Sequence, residues 1–179
     1  MTKISDMNIA ELAAFICTHL MKNGIKCILT GGACISIYSE NKYESFDLDF
    51  IDNSFTPRKE IARILSEINF IEHNRYFKNP KTKYIVEFPA GPLSIGSQPV
   101  HETKEIEFKT GKLFILSPAD SLKDRLAAYF HWEDSQALEQ ALLLYRSQKI
   151  SLKEVEKWAI LEGHQFKYNS IKKKFKRKP

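Results

Sequence analysis

Over residues 45–51 the chain alternates apolar and acidic side chains, with Phe46, Leu48 and Phe50 interleaved by Asp47 and Asp49. Successive side chains of a strand point to opposite faces, whereas a helix would scatter these five around its axis. The pattern therefore predicts a strand with the apolar trio in a core and both carboxylates together on the other face. Two like charges held side by side repel, and a divalent cation relieves them. A lone Asp-x-Asp also fits a solvated strand edge or a capping pair, so its surroundings must decide.

Those surroundings are informative. Asn8 and Glu11 form a helix-capping pair, followed by Ile9, Leu12, Ala13, Ile16 and Leu20 at helical spacing, with Gly24 placed to end the helix. Residues 25–29 are short and apolar and read as a buried strand. Gly31-Gly32 follows at once and opens a helix running to about residue 39. Glycine lets backbone N–H groups approach a triphosphate, and a helix N-terminus adds its dipole, although Gly-Gly also serves as a simple turn. Further on, residues 84–88 form an apolar strand whose single carboxylate is Glu87. A charge there is costly unless it is paired with Lys or Arg or bound to a metal. Three carboxylates from two strands can hold Mg²⁺ by a few oxygens while water and substrate phosphates complete the shell.

The remaining elements divide the chain. Thr56-Pro57 opens a helix to about residue 68, residues 75–77 are extended, and Pro89-Ala90-Gly91-Pro92 breaks the chain. Residues 106–109 and 113–116 flank Thr110-Gly111 as a hairpin. From Ser117 the periodicity becomes helical, first with Leu122, Leu126, Tyr129 and Phe130, then with Leu138, Ala141, Leu142 and Tyr145. A third helix begins at Ser151-x-x-Glu154 and ends near Gly163. The expected organisation is an α/β core over 1–116, a helical segment packed on it over 117–165, and a basic, flexible tail over 166–179.

Charge is concentrated in that tail. The net formal charge is +5, yet six cations lie within residues 172–178, so the rest of the chain is close to neutral. Phe166, Tyr168 and Phe175 interleave with the lysines, a composition suited to nucleic-acid contact and equally to a solubilising tail. The three cysteines sit among apolar neighbours without a C-x-x-C pair, which argues against a disulfide framework or a zinc site. The five histidines show no ligand spacing, and no Ser-His-Asp constellation can be assembled. With no long apolar span and no cleavable leader pattern, no membrane association is expected and a cytoplasmic location is.

Gly31-Gly32, then Asp47-x-Asp49, then Glu87 on a later strand, resembles the DNA polymerase β-type nucleotidyltransferase superfamily. That resemblance implies an α+β nucleotidyltransferase fold, a small mixed sheet flanked by helices and followed by a C-terminal helical segment. It also implies that Gly31 and Gly32 contact the triphosphate of an NTP. Asp47, Asp49 and Glu87 would hold two Mg²⁺ ions, with Mn²⁺ as a substitute. The segments 87–93 and 117–126 further resemble the AbiEii-like branch, known as toxins of bacterial toxin–antitoxin pairs, which implies an antitoxin partner and an RNA (tRNA included) or protein acceptor. The run Lys123-Asp124-Arg125 is implied to face the site, with Lys123 favoured and Arg125 as a second nucleotide-binding cation, against the reading of a solvated helical face. Many relatives carry Arg or Lys four residues before the first acid; here that position is Tyr43, beside Lys42.

The expected activity is metal-dependent transfer of a nucleoside monophosphate from an NTP to an acceptor. The alternatives are a catalytically inactive nucleotide- or nucleic-acid-binding module of the same fold and a metal-dependent phosphohydrolase.

Overall fold

The computed structural model describes residues 2–100 and 102–176. A short 3₁₀ turn (Ile4–Asp6) leads into α1 (Ile9–Lys22), whose start is fixed by a reciprocal capping box between Asn8 and Glu11. The strand β1 (Cys27–Thr30) passes directly into α2 (Gly31–Tyr38), and β2 (Asp47–Asp52) and α3 (Arg58–Ser66) follow. Three short strands, β3 (Ile71–His73), β4 (Tyr76–Lys78) and β5 (Ile85–Glu87), precede a small hairpin of β6 (Ser94–Ile95) and β7 (Gln98–Pro99). The strands β8 (Thr103–Phe108) and β9 (Gly111–Leu116) close the α/β half. Four helices complete the chain: α4 (Pro118–Trp132), α5 (Ser135–Ser147), α6 (Leu152–Leu161) and α7 (Gln165–Lys176).

Seven strands form one mixed sheet in the order β3-β4-β5-β2-β1-β9-β8. β2 runs antiparallel to β1 and parallel to β5, so β2 is a central strand covered on both edges. Leu48 and Phe50 are fully buried against Leu29, Val86 and Phe77 in a core shared with α1 and α3. That is the apolar face expected from the alternation, with one correction. Phe46 precedes the strand, is half-exposed and stacks loosely on Tyr84, because pairing of β2 starts only at Asp47.

A second apolar cluster joins α4, α5, α6 and α7, with Ile35 of α2 and Ile95 of β6 inserted into it. The tail needs a larger correction. Residues 165–176 form a helix that buries Tyr168, Ile171 and Phe175, at i, i+3 and i+7, in this cluster. The aromatic residues interleaved with lysines are thus an amphipathic stripe rather than the mark of a flexible segment. Residues 177–179 lie outside the described residues. Among the described residues no helix is long and apolar enough to cross a membrane.

Candidate active site

The strand pairing decides which carboxylates meet. Across β1, β2 and β5 the register sets Thr30 opposite Asp49 and Asp49 opposite Glu87. Asp47 lies two residues back on β2 and shares the Asp49 face. One row on one side of the sheet therefore carries Asp49 and Glu87, with Asp47 beside them. Thr30 donates its hydroxyl to the Asp49 carbonyl (3.2 Å), tying the end of β1 to the middle of β2.

Gly31 explains how the row meets α2. It has φ +70°, a left-handed conformation that disfavours any side chain, and a Cβ there would overlap Asp49 Oδ2. The first residue of the helix thus packs its bare backbone against the carboxylate. Gly32 has ordinary helical geometry, and a Cβ there would stand 3.3 Å from Ser45 Oγ and 3.5 Å from the Tyr43 ring. Position 43, four residues before Asp47, is therefore filled by a tyrosine ring beside the glycine pair.

The electrostatics follow from this crowding. Burial, then the Glu87 and Asp47 charges, push the Asp49 carboxyl up to about 6, while Arg125 opposes the shift. Arg75 Nε stands 3.4 Å from Glu87 Oε1 at the outer edge, so the pairing partner considered for Glu87 is present. Among the described residues no three His, Cys, Asp or Glu side chains converge into a group able to hold a metal ion. The three acids share a face rather than forming a closed cage. Such a donor set fits a hard divalent cation that takes one or two carboxylates and completes its shell with water and phosphate oxygens.

A cavity of about 310 Å³ opens in front of Asp49, lined also by Gly31, Pro92, Ser94, Asp124 and Arg125. Its size is at the lower end for ligand pockets, so it can take part of a nucleotide rather than enclose one. Arg125 comes from α4 and faces the sheet across this cavity. Its Nη2 and Nε bond Asp124 Oδ2 (2.6 and 3.1 Å), and its Nη1 lies 3.4 Å from Gln140 Oε1. Burial opposes its charge, but Asp124 and Asp49 outweigh burial and hold it protonated.

Lys123 points elsewhere. Its ammonium is 3.0 Å from Asp120 Oδ1, and it lines a different cavity with Gln98, Pro99 and Trp158. Consecutive helical residues are rotated by about 100°, so Lys123 and Arg125 cannot serve one face, and of the two it is Arg125 that lines the cavity beside Asp49. Two site-lining groups were not assigned roles from sequence. Arg75 sits one residue before a strand with nothing to mark it. Asp124, the partner of Arg125, was visible only as part of a charge run. A separate cavity of about 520 Å³ opens between α1 and the β8–β9 turn, and none of the three acids lines it.

No protein-family model matches the sequence, and no curated protein is similar to it. Likeness appears among solved structures. The crystal structure of ANT(2'')-Ia in complex with adenylyl-2''-tobramycin gives a TM-score of 0.54 at 12% identity, over 84% of this chain and 94% of that one. The solution structure of the same antibiotic-resistance factor gives 0.51 at 15% identity, over 88% and 96%. An antigenic nucleotidyltransferase-like protein from Paracoccidioides brasiliensis gives 0.52 at 12% identity, over 77% and 75%. At such identities the likeness is one of fold. The chain has the mixed-sheet fold of these nucleotidyltransferases, and none of the three singles out the AbiEii-like branch.

Proposed function

We propose that this protein is a metal-dependent nucleotidyltransferase that moves a nucleoside monophosphate from an NTP to an acceptor hydroxyl. The observation that carries the reading is the placement of Asp47, Asp49 and Glu87 on one sheet face, with bare Gly31 backbone against Asp49 and Arg125 across the cavity. Mg²⁺ or Mn²⁺ held by one or two of these acids would supply charge neutralisation at the triphosphate and polarise the phosphorus under attack. The chain's own residues set the rest. The start of α2 presents backbone N–H groups at Gly31 and Gly32 to phosphate oxygens. Arg125, kept charged by Asp124, adds a fixed cation on the opposite wall, where it stabilises negative charge that grows as the leaving pyrophosphate departs. Glu87 would take the acceptor's proton.

The AbiEii-like reading, with an antitoxin partner, rests on the resemblance of residues 87–93 and 117–126 alone. An inactive nucleotide-binding module is favoured by two features, the tyrosine at position 43 and the Arg75–Glu87 pair that already answers one of the acids. Incubation with each α-³²P-labelled NTP, Mg²⁺ and total bacterial RNA or protein separates these readings. Label on an acceptor that disappears in Asp49→Asn supports transfer. NTP binding with no label on any acceptor supports the inactive module, and release of phosphate without labelling supports a phosphohydrolase.

A further inference from the structure

The end of α4 and the start of α7 meet in a way that leaves aromatic surface uncovered. His131 and His164 touch edge to face, with ring centroids 4.7 Å apart and Nε2 atoms 3.4 Å apart, and the His164 ring also lies 5.0 Å from Phe130. Lys167 Nζ donates to the Phe130 carbonyl (2.6 Å), clamping the two helix ends together. Immediately beside this contact Trp132 is 82% exposed and Phe166 is 89% exposed, with Leu161 nearby also uncovered. Apolar side chains exposed in a group and rimmed by polar residues, rather than singly, mark interaction surfaces.

α7 itself carries charge of one sign, with five lysines and no acid in its sequence. Lys167 lies 3.8 Å from Glu133 and Lys172 pairs with Glu156, which leaves Lys173, Lys174 and Lys176 for a ligand. With Tyr168, Ile171 and Phe175 packed inward, the helical period sets Phe166, Ser170 and Lys173 on the outward stripe, flanked by Asn169, Lys174 and Lys176. Phe166 and Lys173 are two turns apart, about 10 Å along the axis. That spacing matches one to two nucleotides of an extended strand. Basic residues neutralise phosphates and aromatic faces stack on bases without regard to sequence. Asn169 offers an amide, and the Ser170 hydroxyl, which donates to the Lys167 carbonyl (2.7 Å), can still accept, the chemistry that reads a ribose 2′-hydroxyl.

We infer that Trp132, Phe166 and the outward lysines of α7 form a binding surface for single-stranded RNA. Binding at this surface does not require the carboxylate row to be catalytic; that the bound RNA is also the acceptor rests on the proposed transferase reading.

The test uses the full chain and a fluorescein-labelled, mixed-sequence single-stranded RNA 20-mer without NTP, followed by anisotropy. Three lysine–phosphate contacts give a salt slope of about −2, so affinity falls about 20-fold between 50 and 200 mM KCl. Lys173→Glu with Lys174→Glu weakens binding at least about tenfold, and Trp132→Ala with Phe166→Ala does so by a similar factor. These four side chains are exposed, so far-ultraviolet circular dichroism of the variants stays unchanged. Affinity that ignores either pair of substitutions overturns the surface. Equal affinity for a matching DNA overturns the RNA assignment, and displacement by poly-L-glutamate at equal charge overturns nucleic-acid recognition. A second arm adds labelled NTP: binding without transfer leaves the surface standing and counts against the transferase reading alone.

Discussion

Asp49 is the residue at which folding and chemistry pull in opposite directions. Its carboxyl is raised from 3.8 to about 6, chiefly by burial and then by Glu87 and Asp47. A raised acid binds a proton more tightly folded than unfolded, so its stabilising contribution is full below about pH 4 and lost as pH rises through about 6. At pH 8 the ionised group costs on the order of 2–3 kcal/mol relative to its protonated form. Asp49→Asn should therefore raise Tm at pH 8 and change it little at pH 4, while abolishing transfer; thermal denaturation at the two pH values checks the first half. Gly31 and Gly32 should also separate. Gly31→Ala forces a side chain into left-handed backbone and into the Asp49 carboxylate, for a cost of about 2 kcal/mol or more and loss of activity. Gly32→Ala meets only a 3.3 Å approach to Ser45 Oγ and should fold nearly normally, so urea melts of the pair should differ clearly.

At the scale of elements, α7 is where the structure departs most from a sequence-only expectation. Truncating Phe175 or Tyr168 to Ala should cost about 3–5 kcal/mol, because each leaves a large cavity in the helical cluster. A flexible tail would show no change in urea midpoint. The alternation of β2 was legible because one face had to be apolar, and the capping box of α1 because both partners lie within four residues. The lysines of α7 mask its helix in composition, because the signal lies in the period. Once Tyr168, Ile171 and Phe175 are spaced on a helical wheel, the same twelve residues specify a buried stripe. Among the site residues, Asp47, Asp49, Glu87, Gly31 and Gly32 were legible from spacing along strands and at a strand end. The choice between Lys123 and Arg125 was not, since it depends on how far α4 is rotated against the sheet, and Leu122 and Leu126 alone do not fix that angle.

For the whole molecule, the sheet that carries the acids and the helix that carries Arg125 are packed in two different apolar clusters, with α2 contributing Cys34 to one and Ile35 to the other. A divalent cation should stabilise this arrangement only when the acids are ionised. Added Mg²⁺ or Mn²⁺ should raise Tm at pH 8 and have little effect at pH 5, where Asp49 holds its proton; equal shifts at both values would place the ion elsewhere. The mixed sheet has a consequence in time as well as in space. Asp47 and Asp49 emerge together, but Glu87 reaches them only through the parallel β2–β5 pairing, which no tight turn can close and which waits on α3 and two intervening strands. The three acids therefore come together only once this non-local pairing has formed, the kind of contact whose loop-closure cost must be met first.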